Sequence, residues 1–358
     1  MRENSFGRTP RYSFGIEEEF QLFNTEDLKP YPAKNFIDTD INHELLYNQI
    51  EIKTKECKDI DQARKDFNRL HGVIRDKCKK NNVLCIAAGI VPFLKEDDVR
   101  VNPYYLDFLS DEVSQRKDYV FNATHVHVSM EKSKEAITVM HGGDYLSPEL
   151  IAISANSPLL FEKNTGNLSH RRALWIDIGR RQLKAKQRIK GNNPIRKYNI
   201  HEYFVPVGIN YGNYEKMIND FGVLGSWPTL SDSRQDKGTV QFRHFDQVPD
   251  LNLVLSFASL ARGLSWCLIN EKIELYPYST PELQHKIRQA CKHSIKDAEI
   301  KKSCKNLLHT VAEESDITSK DELIPIMGIL EHGTLAEEQI RLYNKGTKVF
   351  SDRFSIGL

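Results

Sequence analysis

Apolar and polar positions alternate or recur along the chain in ways that predict distinct elements. Tyr12 to Phe23 reads as a β-strand, closed by the turn-like Asn24-Thr25-Glu26-Asp27. Tyr47 to Thr54 reads as a second strand, with Ile50 and Ile52 on one face and Gln49, Glu51 and Lys53 on the other. From Asp59 to Lys80 the apolar residues Ala63, Phe67, Leu70 and Ile74 recur at helical steps, and Asp59 or Asp61 can cap the start. Val83 to Val91 is an apolar strand interrupted by Gly89 and stopped by Pro92, and Asn102-Pro103 opens a further helical stretch.

Asn122 to Met130 alternates as a strand again. Ser147-Pro148-Glu149 is a helix start, with proline in the first turn and an acid by the positive end of the dipole; that helix runs to about Asn156, before Ser157-Pro158. Gly238 precedes a strand over Thr239 to Phe245, and Pro249-Asp250 opens a long apolar helix to about Leu268. From Pro281 to about Tyr343 the pattern is helical and polar. Strands and helices mix without a βαβ rhythm, which predicts an α+β fold with an antiparallel sheet and helices packed against it.

The strands carry the candidate chemistry. Period-two alternation puts Glu17 and Glu19 on one face, and Ile16, Glu18 and Phe20 on the other. Three consecutive acids repel one another unless a cation or basic groups compensate, and the apolar residues Phe14, Ile16, Phe20 and Leu22 around them argue against full exposure. Glu51 is an isolated acid between Ile50 and Ile52. His125 and His127 flank Val126, so both imidazoles point to one side, and Gln241 and Arg243 share a face opposite Val240 and Phe242. If these polar faces converge, they form a cavity of carboxylates, imidazoles and a fixed cation. Such an oxygen-rich set suits Mg²⁺ or Mn²⁺ rather than structural zinc.

Composition narrows the partners. The length of 358 residues suits one large domain or two modest ones, and a net charge of +1 predicts neither a nucleic-acid surface nor an acidic tail. The basic run Arg180 to Lys190 reads as a solvated surface segment. None of the six cysteines forms a C-x-x-C pair, and they fall in apolar or helical stretches, as reduced buried thiols do. The polar start of the chain and the absence of an obvious spanning run give the expectation of a cytoplasmic protein without membrane partners. No phosphate-loop or dinucleotide glycine pattern is present, so any nucleotide phosphates must be held by metal ions and basic side chains. Ser157 with His125 is a poor nucleophilic pair, because no nucleophile elbow surrounds the serine.

Taken in order, Gly15 to Phe20, Glu44-Leu45-Leu46 leading to Gln49 to Thr54, His125 to Val128, Ser154 to Pro158 with Thr165-Gly166, and Gly238 to Arg243 resemble the motifs of the type 2 glutamate–cysteine ligases, in the branch called carboxylate–amine ligases. The resemblance runs from about residue 12 to 265. It implies a glutamine-synthetase-like fold, in which a curved antiparallel sheet lines an active-site funnel and helices pack outside. It also implies a single catalytic domain over residues 1–358, helical from about 281 to 358. The implied activity is ATP-dependent amide formation between a glutamate-like carboxylate and an amino-acid amine, with Mg²⁺ or Mn²⁺. The alternative is a catalytically impaired homologue that binds ATP and metal in a regulatory role. A homodimer is compatible with the chain.

Carried over residue by residue, Glu17, Glu19, Glu51 and His125 match metal-ligand positions, and His127 matches the histidine nearer the nucleotide phosphates. Arg243 matches an arginine that holds substrate carboxylate or phosphoryl oxygen. Arg171 stands where the family has an arginine after an aromatic, here replaced by His170, and Arg234 stands in an Asp-x-Arg with shortened spacing to Thr239. Gln241 is the departure: the family pattern has Glu there, a metal ligand, so a bridging carboxylate has become a neutral amide that can coordinate through oxygen but neutralises no charge.

Overall fold

The computed structural model describes residues 5–106, 117–174, 223–224, 231–234, 237–276 and 278–356. The basic run at 180–190 lies outside them.

The sheet is built around β1 (Phe14–Asn24), an eleven-residue strand buried along nearly its whole length. Its other members are β2 (Ile41–His43), β3 (Gln49–Lys53), β4 (Val83–Ile86), β5 (Ala123–Ser129), β8 (Val223–Leu224), β9 (Ser231–Arg234) and β10 (Thr239–Asp246). The order is β2-β3-β1-β5-β10-β9-β8, with β4 also pairing with the end of β1. Every pairing in it is antiparallel, as expected from the absence of a βαβ rhythm. β6 (Leu159–Leu160) and β7 (Lys163–Asn164) form a separate hairpin.

Helices cover the apolar side. α1 (Ile60–Asn81) is capped by the Asp59 carboxylate, which accepts from the Gln62 N–H, and it buries Ala63, Phe67, Leu70 and Ile74. A short α2 (Pro103–Leu106) is followed by α3 (Ser133–Tyr145), α4 (Ser147–Ser154) and α5 (Leu251–Ile269). The C-terminal part is helical, as the sequence predicts: α6 (Thr280–His293), α7 (Ala298–Glu314), α8 (Lys320–His332), α9 (Leu335–Tyr343) and α10 (Thr347–Phe354). One apolar cluster runs from Phe14 and Phe20 through Phe67 and Phe257 to Leu308 and Ile326, joining sheet, α1, α5 and the C-terminal helices.

The expectation that no run reaches membrane-spanning length needs correction. α5 spans 19 residues and is long and apolar enough, but 78% of its most apolar window is buried against the rest of the fold. It is apolar all round because protein surrounds it: the sheet lies on one side and helices on the others. All six cysteines are free and buried.

The strand predicted over Val83 to Val91 ends at Ile86. Beyond it, Gly89 passes so close to its neighbours that a Cβ would lie 2.9 Å from the Asp246 Cβ and 3.0 Å from the Asn156 carbonyl. The chain there needs the room that only glycine leaves.

Candidate active site

Register explains which side chains meet. Glu17 lies opposite Lys53 and His125, and Glu19 lies opposite Glu51. Gln241 lies opposite His127 on the neighbouring pair. Residues directly opposite in an antiparallel pair share a face, so three register lines put Glu17, Glu19, Glu51, Lys53, His125, His127 and Gln241 together. All but Lys53 are buried. The apolar partners Ile16, Phe20, Ile50, Ile52, Val126 and Phe242 fill the opposite face and are essentially inaccessible.

Two electrostatic environments divide the polar face. The first surrounds Glu17. His125 Nδ1 lies 3.4 Å from its Oε2 and His127 Nε2 lies 3.2 Å from its Oε1. Lys53 Nζ is 3.1 Å and Lys237 Nζ is 3.4 Å from Oε1, while the Gln241 amide donates to Oε2 at 3.1 Å. Burial would raise the Glu17 carboxyl, but its hydrogen bonds with His125 and His127 outweigh that and hold it well below the usual range. Burial, reinforced by the Arg243 charge, lowers the His125 imidazole to about 3, so it is neutral near pH 7.

The second environment is a cluster of acids. Oxygens of Glu19, Glu44 and Glu51 all lie within 4.8 Å of one another. Burial, together with the charges of Glu44 and Glu51, pushes the Glu19 carboxyl well above its usual range. Burial likewise raises Glu44. For Glu51, burial and the charges of Glu17 and Glu44 push the carboxyl up to about 8. The Ala123 N–H donates to Glu19 at 2.8 Å, the Leu45 N–H donates to Glu44 at 3.1 Å, and Lys53 pairs with Glu51 at 2.7 Å. Three acids drawn together with raised pKa values require protons or a cation among them, and all-oxygen donors of this spacing fit a hard divalent ion. The buried Gln241 Oε1, without a hydrogen-bond partner among the described residues, is a further oxygen on this face.

Glu44 is a candidate ligand that the strand pattern of the sequence does not single out. It follows β2 in an irregular segment, where strand alternation gives no direction.

The arginines divide as well. Arg243 is half-buried and its charge acts on both His125 and Glu19. It sits in a bulge, because the β10–β5 register shifts between Phe242 and Phe245. Arg171 is fully buried: its Nε pairs with Asp246 at 2.7 Å, and its Nη2 donates to the carbonyls of Arg243 at 3.2 Å and His244 at 2.8 Å. Arg172 donates to the Arg243 carbonyl as well, at 3.2 Å. The bulge carbonyls, displaced from the ladder, are thus satisfied by side chains. Arg234 stands opposite Thr239 in the β9–β10 register.

Asp246 is a hub that the sequence did not reveal. It accepts from the Asn156 N–H, the Ser157 hydroxyl, the Ser169 hydroxyl and Arg171. Ser157 is thereby committed to Asp246 rather than to His125. Glu18, on the reverse face, is buried, 2.7 Å from His71 Nε2, and accepts from Gln247 at 2.8 Å.

A family model described as glutamate–cysteine ligase family 2 matches residues 13–349. The chain belongs to that family. Among curated family 2 relatives, a Chloroflexus aggregans protein named "Putative glutamate--cysteine ligase 2" is 23% identical over 93% of this chain and 87% of its own length. A Solibacter usitatus protein of the same name is 23% identical over 94% of this chain and 90% of its own length. Among solved structures, the glutamate–cysteine ligase of Francisella tularensis in complex with AMP superposes with a TM-score of 0.61 at 13% identity, covering 96% of this chain and 88% of that one. A bifunctional glutathione synthetase from Pasteurella multocida gives 0.57 at 12% identity, over 96% of this chain and 51% of that one. At such identities these likenesses show the fold alone, an α+β arrangement with an antiparallel sheet and helices outside.

Proposed function

We propose that the protein is an ATP-dependent carboxylate–amine ligase that forms an amide bond through an acyl phosphate. The observation that carries this reading is the three-carboxylate cluster of Glu19, Glu44 and Glu51 beside His125, His127 and Arg243, on the polar face of the sheet in a chain that belongs to this ligase family.

In the proposed reaction a carboxylate oxygen attacks the γ-phosphorus of ATP and ADP leaves. The amine then attacks the activated carbonyl carbon, loses a proton, and phosphate departs with one former carboxylate oxygen. Phosphoryl transfer of this kind depends on positioning and charge stabilisation. Glu19, Glu44 and Glu51 would hold a divalent ion, which would supply positive charge to the phosphate oxygens. The half-buried Arg243 adds a fixed positive charge that acts more strongly in a partly dry site than in water. His127 Nε2 lies 3.2 Å from Glu17 and its Nδ1 3.1 Å from the Thr239 hydroxyl, and by the family match it would stand on the side of the nucleotide phosphates. Arg171 acts on the site by fixing the bulge that presents Arg243, since its Nε and Nη2 are committed to Asp246 and to carbonyls. The carboxylate is glutamate-like and the amine is an amino acid, following the family name.

The test is an ADP-release screen of purified protein across amino acids and amines with Mg²⁺ or Mn²⁺. ADP formation that requires both a carboxylate and an amine supports the reading; no ADP with any pair overturns it. A second reading, nucleotide and metal binding without turnover, draws on Gln241, whose amide serves as a donor to Glu17 where the family has a ligand carboxylate. ATP binding without hydrolysis or ligation would select it.

A further inference from the structure

Resting on the metal-dependent reading of this face, we propose that Lys53 and Lys237, with the Gln241 amide, take the place of a metal ion at Glu17, so that the protein carries a single resident divalent ion on Glu19, Glu44 and Glu51. The division is geometric. Both Glu17 oxygens are already met by protein groups: Lys53, Lys237 and His127 at Oε1, and Gln241 and His125 at Oε2, all between 3.1 and 3.4 Å. Glu19 and Glu44 have no lysine or arginine in ion-pair contact among the described residues; their close donors are the backbone N–H groups of Ala123 and Leu45.

The chemistry of position 241 explains the difference. A glutamate there would set a second carboxylate beside Glu17, and two carboxylates at hydrogen-bond distance require a proton or a cation between them. A glutamine removes one negative charge and offers an N–H to the remaining one. The residual charge on Glu17 is then met by two ammonium groups, Lys53 from the strand opposite and Lys237 from the turn before β10. Ammonium groups are point charges on flexible stems, so they can serve where a cation is needed without coordination geometry. Lys53 also reaches Glu51 at 2.7 Å, which places it at the border between the lysine-held acid and the metal cluster.

The experiment counts Mn²⁺ on the full-length protein without nucleotide, by titration calorimetry and by the electron-spin-resonance signal of free Mn²⁺. The expected count is one per chain. Glu17→Gln should change the Mn²⁺ dissociation constant less than threefold, whereas Glu19→Gln and Glu44→Gln should weaken it more than tenfold. Gln241→Glu combined with Lys53→Gln should raise the count to two. Thermal unfolding confirms that each variant is folded; Glu17→Gln, which keeps the side-chain shape, decides the matter if the double variant does not fold. Two Mn²⁺ on the wild type, none at all, or a Glu17→Gln loss equal to that of Glu44→Gln would overturn the proposal. The count is independent of turnover. One Mn²⁺ with no ADP release leaves this proposal standing and removes the ligase reading, while two Mn²⁺ with turnover does the reverse.

Discussion

The Gln241 amide donates to the Glu17 carboxylate, Nε2 to Oε2 at 3.1 Å, across the width of strand β5. This contact turns the family's expected pair of acids into a donor–acceptor pair. It leaves one carboxylate fewer on this face to be balanced by positive charge.

Gln241→Glu should restore that carboxylate. It replaces a hydrogen bond to a buried carboxylate by repulsion, and loss of such a bond costs about 1.5–3 kcal/mol. The metal-free variant should unfold at lower temperature than the wild type, and saturating Mn²⁺ should recover more stability in the variant. Thermal unfolding with and without Mn²⁺ measures both effects; an equal metal-induced rise in the two proteins would show that position 241 does not face the cation.

Glu51 predicts a pH dependence of defined sign. Its carboxyl stays protonated in the folded metal-free protein up to about 8, under burial and the charges of Glu17 and Glu44, whereas in the unfolded chain it ionises near the ordinary value of 4.5. Between these values the unfolded state binds fewer protons, so the contribution of Glu51 to stability falls as pH rises. Glu51→Gln has no such proton to lose. Its stability relative to wild type should climb from about pH 5 to pH 8 and then level off. Urea unfolding in the presence of chelator at several pH values checks this; a flat difference would contradict the environment assigned to Glu51.

Arg171→Met should act on stability first. It strands the fully buried Asp246 and frees the carbonyls of Arg243 and His244, and breaking a buried ion pair from one side costs about 3–5 kcal/mol. Urea unfolding gives the size of the loss. An unchanged midpoint would mean that Arg171 is not committed to Asp246.

Glu18→Gln separates the two faces of β1. It weakens the buried contact with His71 and should lower stability by about 1–3 kcal/mol. Mn²⁺ affinity should stay within threefold of wild type, in contrast to Glu19→Gln one residue away. A large loss of affinity would show that the two faces of β1 do not act independently.

These residues also show how far the chain could be read without its structure. Alternation along β1, β3 and β5 was enough to place Glu17, Glu19, Glu51, His125 and His127 on one face and Glu18 on the other, because strand register leaves little freedom once the apolar face is buried. Periodicity fails where the backbone leaves that rhythm. Glu44 lies beyond the end of β2, and Asp246 lies beyond a bulge that shifts the register of β10. The partners of Arg171 are some 75 residues distant in sequence, a separation that no local pattern encodes. Lys53 was visible on the polar face, but its pairing with both Glu17 and Glu51 depends on how β1 and β3 align.

The most direct test of the central claim follows oxygen from substrate to product. With a carboxylate substrate labelled with oxygen-18, Mg²⁺ or Mn²⁺, ATP and an amine, a ligase working through an acyl phosphate transfers label from the carboxylate to the released phosphate. The account predicts labelled phosphate, formed together with ADP and amide, and absent in Glu19→Gln and Glu44→Gln. Unlabelled phosphate accompanying amide formation, or ATP bound without any ADP released, would contradict it.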